Sequence, residues 1–197
     1  GGKMADAARA RGLEVLTLGW RGRDLTIREI TPRAASQSVV FSWRGTDHAL
    51  DIPLVGEFQI LNALGAAAIA LADGGAEASV LASLKTLGGV PGRLEKVGET
   101  ADKAPVLVDY AHTPDGLDKL LRAARPHTRG RVIVIFGCGG DRDASKRSKM
   151  GVIAANQADH IIVTDDNPRS EDPALIRQAI LKGCPQAEEI ADRAEAI

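Results

Sequence analysis

The sequence predicts an α/β protein: a first part with antiparallel edge strands and buried helices, then a layered domain built on a mostly parallel sheet. Three observations lead there. After residue 105, short apolar runs alternate with segments of helical period, the rhythm of strand, helix, strand. Those runs lack polar alternation, as expected where helices cover both faces of a sheet. Before residue 55 the apolar residues do alternate with polar ones, the mark of strands with one wet face.

In chain order, Leu25-Thr26-Ile27, then Val39, Phe41 and Trp43, then Leu50, Ile52 and Leu54 mark three short strands, with turns at Arg21 to Arg23 and Arg44 to Asp47. From Glu57 to Asp73 the chain is apolar nearly all round, which predicts a buried helix. Gly74-Gly75 ends it before a second helix from Glu77 to Leu87. Gly88-Gly89-Val90-Pro91-Gly92-Arg93 breaks the helical pattern, and the polar stretch Val97 to Pro105 is the expected domain boundary. Strands follow at Val106 to Val108, Val132 to Phe136 and Ile161 to Val163. They are interleaved with helices at Pro114 to Arg125, Lys146 to Ala158 and Ala174 to Lys182. No internal repeat or low-complexity tract interrupts the pattern.

Composition narrows the function classes. The 25 Lys plus Arg residues nearly cancel 26 Asp plus Glu, so no whole-molecule field directs the chain to nucleic acid or an anionic membrane surface. Any anion must be held locally. Aromatics are scarce, which leaves no stacking platform for bases. The longest apolar stretch, Ile60 to Ala72, is interrupted by Asn62 and is too short to span a bilayer. Cys138 and Cys184 have neither CxxC spacing nor a partner framework, so a reducing, cytoplasmic compartment fits.

Each strand of the second half ends in a loop rich in polar residues or glycine: Asp109 to Pro114, Gly137 to Asp143, and Thr164 to Pro173. Ligands in open α/β sheets bind at the carboxyl ends of strands, so the three loops are expected along one rim. In the first, Thr113 and Pro114 suit the cap and first turn of a helix. Asp109 is a strand-end carboxylate that can accept hydrogen bonds from a pair of ribose hydroxyls, and His112 is either a loop residue bonded to backbone or a functional group. In the second, Gly137-Cys138-Gly139-Gly140-Asp141-Arg142-Asp143 permits close backbone approach, which serves a tight turn as well as an anion site. Cys138 reads as a small buried filler. Lys146, Arg147 and Lys149 read as a solvated helix face. The third places Asp166, Asn167, Pro168 and Arg169 together: carboxylate and amide complement an ammonium, and Arg can grip a carboxylate bidentately. A surface turn with a cap at Asp172 and Pro173 is the competing reading.

Four strings, taken in order and spacing, resemble the Mur ligases over nearly the whole chain: GEFQILNALGAAAIAL from Gly56, VPGRLEKV from Val90, VLVDYAHTPDGL from Val106, and FGCGGDRDASKRSKMG from Phe136 followed by DNPRSEDP from Asp166. The combination is similar to the UDP-N-acetylmuramoyl-tripeptide synthetase branch. That resemblance implies a Rossmann-like, mostly parallel C-terminal domain, incomplete here, from residue 99 to 197. It implies the C-terminal portion of the central ATP-binding domain from 1 to 98. It also implies ATP and Mg2+ as cofactors. The small-molecule substrates would be a UDP-N-acetylmuramoyl-dipeptide and an amino acid, which is meso-diaminopimelate when Arg169 ends the DNPR string. No nucleic acid, membrane or obligate protein partner is implied.

Carried over residue by residue, Arg142, Asp166, Asn167, Pro168 and Arg169 would meet the amino acid. Asn62, Arg93, Asp109 and His112 would meet ATP. The family's P-loop is absent, since no Ser or Thr follows Lys3 in Gly1-Gly2-Lys3-Met4, and its modified lysine is absent too. The chain alone is therefore expected not to turn over. A non-catalytic binding module for a nucleotide or amino acid is one alternative. A folylpolyglutamate synthase-like ligase is another, against which the DNPR string argues.

Overall fold

The computed structural model describes residues 2–197. They form two compact units. The first comprises the chain to Pro91 together with Glu99–Pro105, and the second Gly92–Gly98 together with Val106–Ile197. Where a single crossing near residue 98 was expected, the polar stretch is shared between the two units, and the chain passes between them more than once.

The first unit opens with helix α1 (Gly2–Ala10), which the sequence reading left unassigned. A sheet follows in the order β1 (Leu18–Gly19), β2 (Leu25–Pro32), β3 (Gln37–Trp43) and β4 (Thr46–Ile52). The three longer strands pair antiparallel, as their alternation predicts. Leu25, Ile27, Val39, Phe41 and Ile52 are buried on one face. The β3–β4 connection is a two-residue loop, Arg44-Gly45, with φ of 46° and 94°. Positive φ at both central residues matches the right-handed twist of the strands, and fixes the Trp43–Thr46 register. Helices α2 (Glu57–Ala72) and α3 (Glu77–Leu84) complete the unit, with Ile60, Leu64 and Ala68 of α2 entering the core. The buried Gln37 amide donates to the Leu54 and Gly56 carbonyls at 3.1 and 2.9 Å, so its polar end is satisfied.

In the second part of the chain β5 (Glu95–Glu99) and β6 (Pro105–Val108) pair with each other as a separate two-stranded sheet. The parallel sheet is β7 (Ile133–Phe136), β8 (His160–Val163) and β9 (Glu188–Glu189), in that order. The expectation that Val106 to Val108 hydrogen-bonds into this sheet is thus corrected: the segment finds its ladder partner in β5 instead. Helix α4 (Pro114–Ala124) begins at the Thr113 cap, whose Oγ1 accepts from the Gly116 N–H at 3.1 Å, with Pro114 in the first turn. It packs on α5 (Lys146–Gln157), which packs on α6 (Pro173–Leu181), capped by Asp172. A short α7 (Arg193–Ala196) follows.

The α5–α6 contact is close enough to need glycine. A Cβ on Gly151 would lie 2.3 Å from the Ile180 carbonyl oxygen. Leu117, Leu121, Val134, Phe136, Met150, Val163, Ile176 and Ile180 form the core of this unit.

Candidate functional site

At the carboxyl ends of β7 and β8 the second unit carries a cavity of about 800 Å³. Its walls are the three loops expected along one rim. Asp109 to Pro114 forms one side, Phe136, Gly137 and Gly139 with Arg142 and Asp143 another, and Asp166, Asn167 and Arg169 a third. The start of α5 adds Ser145, Lys146 and Lys149, and Arg193 adds a further cation. Five cationic side chains therefore face three carboxylates and one imidazole, a local positive excess in a chain whose charges otherwise nearly cancel.

The glycine loop and the Asp166 to Arg169 loop touch backbone to backbone. The Gly140 N–H donates to the Asn167 carbonyl at 2.9 Å. A Cβ at Gly140 would sit 1.9 Å from the Pro168 carbonyl oxygen, so only glycine allows the approach. Arg169 lies in the left-handed region at φ 51°, and its guanidinium donates to the Gly140 carbonyl at 2.6 Å. That bond uses one of its five donors and leaves the others for a ligand. Asp166 and Asn167 are exposed, and the Asp166 side chain accepts from the Asn167 N–H at 2.8 Å. Pro168 contributes its carbonyl to the loop contact rather than a side chain to the cavity wall.

Asp109 has a clear local role. One carboxylate oxygen accepts from the Leu94 N–H at 2.9 Å and the other from the Ala111 N–H at 2.8 Å. A carboxylate offers about four acceptor sites, so hydroxyls can still be accommodated. Arg93 stacks over the Tyr110 ring at 5.2 Å, and the His112 ring meets Tyr110 edge-on at 5.2 Å. His112 Nδ1 lies 3.0 Å from the Tyr110 carbonyl, and its own carbonyl accepts from Lys146 Nζ at 2.6 Å. Arg93 does not line the cavity. Asn62 belongs to the first unit, exposed on α2. The structure thus gathers Asp109, His112, Arg142, Asp166, Asn167 and Arg169 around one cavity within the second unit, to which Asn62 does not belong.

Two expectations about the glycine loop and the helix after it separate here. Cys138 is buried as expected, 3.7 Å from Met150 Sδ, and burial pushes its thiol pKa up, as for a filler rather than a nucleophile. Arg147 is not on a solvated face: it is 5% exposed and holds Glu171 bidentately at 2.7 and 2.8 Å. The correction has a plain cause. Its partner lies 24 residues away in sequence, and period alone cannot place it. Sequence reasoning also missed Lys146, Lys149 and Arg193 as cavity cations, although two of them stood in a quoted string.

Among the described residues, no group of three or more His, Cys, Asp or Glu converges as a metal site, and no helix is long and apolar enough to cross a membrane.

A cationic cavity at the strand ends of a parallel α/β sheet is chemically suited to an anionic group. Residues 92–197 match the model of the Mur ligase, glutamate ligase domain, and the chain belongs to the Mur ligase family. It is similar to the UDP-N-acetylmuramoyl-L-alanyl-D-glutamate–2,6-diaminopimelate ligases of Mesorhizobium japonicum and Caulobacter vibrioides. It is 52% identical to the first over 97% of this chain, and 51% identical to the second over 98%. The chain spans about 40% of the length of these relatives. A solved 2,6-diaminopimelate ligase of the same description superposes with a TM-score of 0.74 at 30% identity. The match covers 99% of this chain and 41% of that one. A Thermotoga maritima folylpolyglutamate synthase superposes at 0.76 over 98% of this chain and 45% of that one, but at 22% identity, a likeness of fold.

Proposed function

We propose that this chain is the part of an ATP-dependent amide ligase that receives the incoming amino acid, meso-diaminopimelate, for addition to UDP-N-acetylmuramoyl-L-alanyl-D-glutamate in cytoplasmic peptidoglycan synthesis. The observation that carries the reading is the cavity wall shared by Arg142, Arg169, Asp166 and Asn167. Meso-diaminopimelate has two amino-acid centres, and the one that does not react presents an ammonium and a carboxylate together. Asp166 and Asn167 complement the ammonium, and the two guanidiniums complement the carboxylate through charge-assisted bonds. L-Lysine, which lacks that second carboxylate, would leave both arginines without their anion. The names and identities of the relatives support the same substrate.

The division of labour follows from the groups present. The cavity binds and orients the amine so that its attack is effectively intramolecular. ATP, when bound, supplies the phosphoryl group that activates the acceptor carboxylate. Asp109 has free lone pairs and Tyr110 is exposed, with Arg93 over its ring and His112 at its edge, so this corner of the second unit suits a nucleoside. Asn62 is assigned to ATP on family resemblance alone. Magnesium is assigned no ligands among the described residues.

The test is a segment exchange. Residues 2–197 replace the matching segment of the Mesorhizobium japonicum ligase, and ADP release is followed with meso-diaminopimelate or L-lysine as the amine. The reading predicts turnover with meso-diaminopimelate and at least about tenfold lower kcat/KM with lysine, the value of one lost charge-assisted contact. A folded chimera that accepts both amines equally would overturn it.

A further inference from the structure

Beside the cavity, next to the two loops that carry its arginines, lies a half-buried ion pair that the proposed binding contacts do not use. Arg147, on the first turn of α5, is 5% exposed, and its two terminal nitrogens hold both oxygens of Glu171 at 2.7 and 2.8 Å. Glu171 follows the Asp166 to Arg169 loop. The same Glu171 oxygen that meets Arg147 also accepts the Asp141 N–H at 2.6 Å. Asp141 closes the exchange: its carboxylate accepts from the Ser170 hydroxyl at 2.7 Å and from the Ser170 N–H at 3.2 Å. One carboxylate thus ties three elements: the helix start, the glycine loop and the end of the arginine loop.

Both loops carry backbone that needs such support. Asp141 and Arg169 are non-glycine residues in the left-handed region, each at φ 51°. Conformations of this kind cost energy and persist only where the surroundings hold them. Asp141 immediately precedes Arg142, and Glu171 lies two residues after Arg169. Whatever fixes Asp141 to Glu171 therefore fixes the two guanidiniums of the cavity relative to each other.

Resting on the proposed function, we infer that Arg147 and Glu171 form a positioning latch: by clamping the two loops they set the spacing of Arg142 and Arg169, and so the selectivity for a second carboxylate on the amino acid. Neither latch residue lines the cavity, so their action on the ligand is indirect. A bidentate guanidinium pair suits the task, because its planar fork resists rotation where a lysine would not.

The experiment uses the 197-residue chain with Glu171→Gln, which keeps shape and an acceptor but removes the charge, and with Arg147→Lys as a milder second variant. Leu121→Ala, a core truncation in α4 away from the loops, is the control for general destabilisation. Amide hydrogen exchange should be at least about tenfold faster at Gly140 and Asp141 in Glu171→Gln, with the β7–β8 ladder amides unchanged. Calorimetric titration should show meso-diaminopimelate affinity about ten- to a hundredfold weaker in Glu171→Gln, in between for Arg147→Lys, and unchanged in Leu121→Ala. Unaltered exchange at Gly140 and Asp141, or equal affinity in wild type and Glu171→Gln, overturns the latch alone. No binding by the wild-type chain overturns the reading of the cavity on which the latch rests.

Discussion

Gly140→Ala probes the contact on which the site is built. The added Cβ would fall 1.9 Å from the Pro168 carbonyl oxygen and 2.7 Å from its carbon, against an ordinary contact of at least 3.4 Å. The obstacle is backbone, so no side chain can swing aside, and the loops must part by about 1.5 Å. Overpacking of this kind costs about 1–3 kcal/mol. Parting also lengthens the Gly140–Asn167 and Arg169–Gly140 bonds, now 2.9 and 2.6 Å, at about 0.5–1.5 kcal/mol each if lost. Alanine returns roughly 0.4–1 kcal/mol by restricting the unfolded chain. The net expectation is destabilisation of the second unit by about 2–4 kcal/mol.

Because the chain has two compact units, a single unfolding midpoint would mix them. Native-state hydrogen exchange of the β7 and β8 amides reads the second unit directly. The matched control is Gly130→Ala, where a Cβ meets nothing within 4 Å. If Gly140→Ala leaves those amides within about 0.5 kcal/mol of Gly130→Ala, the close loop approach is wrong.

Other outcomes follow from the same geometry. Arg169→Ala and Arg142→Ala in the exchanged ligase should each raise KM for meso-diaminopimelate about ten- to a hundredfold with KM for ATP unchanged, and the double variant should be less than additive, in steady-state kinetics. Thr113→Ala removes the cap that accepts from Gly116 and should destabilise α4 by about 1 kcal/mol, read from exchange of its first-turn amides. Acid should weaken the latch. The Arg147 guanidinium, aided by the Asp141 N–H, holds the Glu171 carboxyl below the ordinary glutamate range. A depressed folded pKa contributes stability that is fully present above the ordinary value and is lost as pH falls through the lower folded one. The stability gap between wild type and Glu171→Gln, measured by exchange, should therefore be constant near neutrality and shrink below about pH 4.

The rim of the cavity was legible because strand ends and glycine-rich loops are local signals: β7, β8 and the loops after them lie where the apolar runs stop. Helices α2, α4, α5 and α6 were legible for a similar reason, with caps at Thr113 and Asp172 readable directly. What failed was nonlocal. Val106 to Val108 has the composition of a parallel core strand, yet nothing in the run itself says whether its ladder partner is β5 or β7. Strand β9 is two glutamates, with no apolar pattern to find. Arg147 sits in a run of cations that imitates a wet helix face, and its burial is decided by Glu171. The local role of Asp109 was not legible either, since one of the two backbone N–H groups that its oxygens hold belongs to Leu94, 15 residues earlier.

The most direct test of the amino-acid cavity is an amide-resolved titration of the 197-residue chain with meso-diaminopimelate and, separately, L-lysine. Meso-diaminopimelate should shift the amides of Gly139 to Arg142 and Asp166 to Arg169 and bind at least about tenfold more tightly than lysine, because only it carries the second carboxylate. Equal affinities, or shifts that map away from those two loops, would contradict the account.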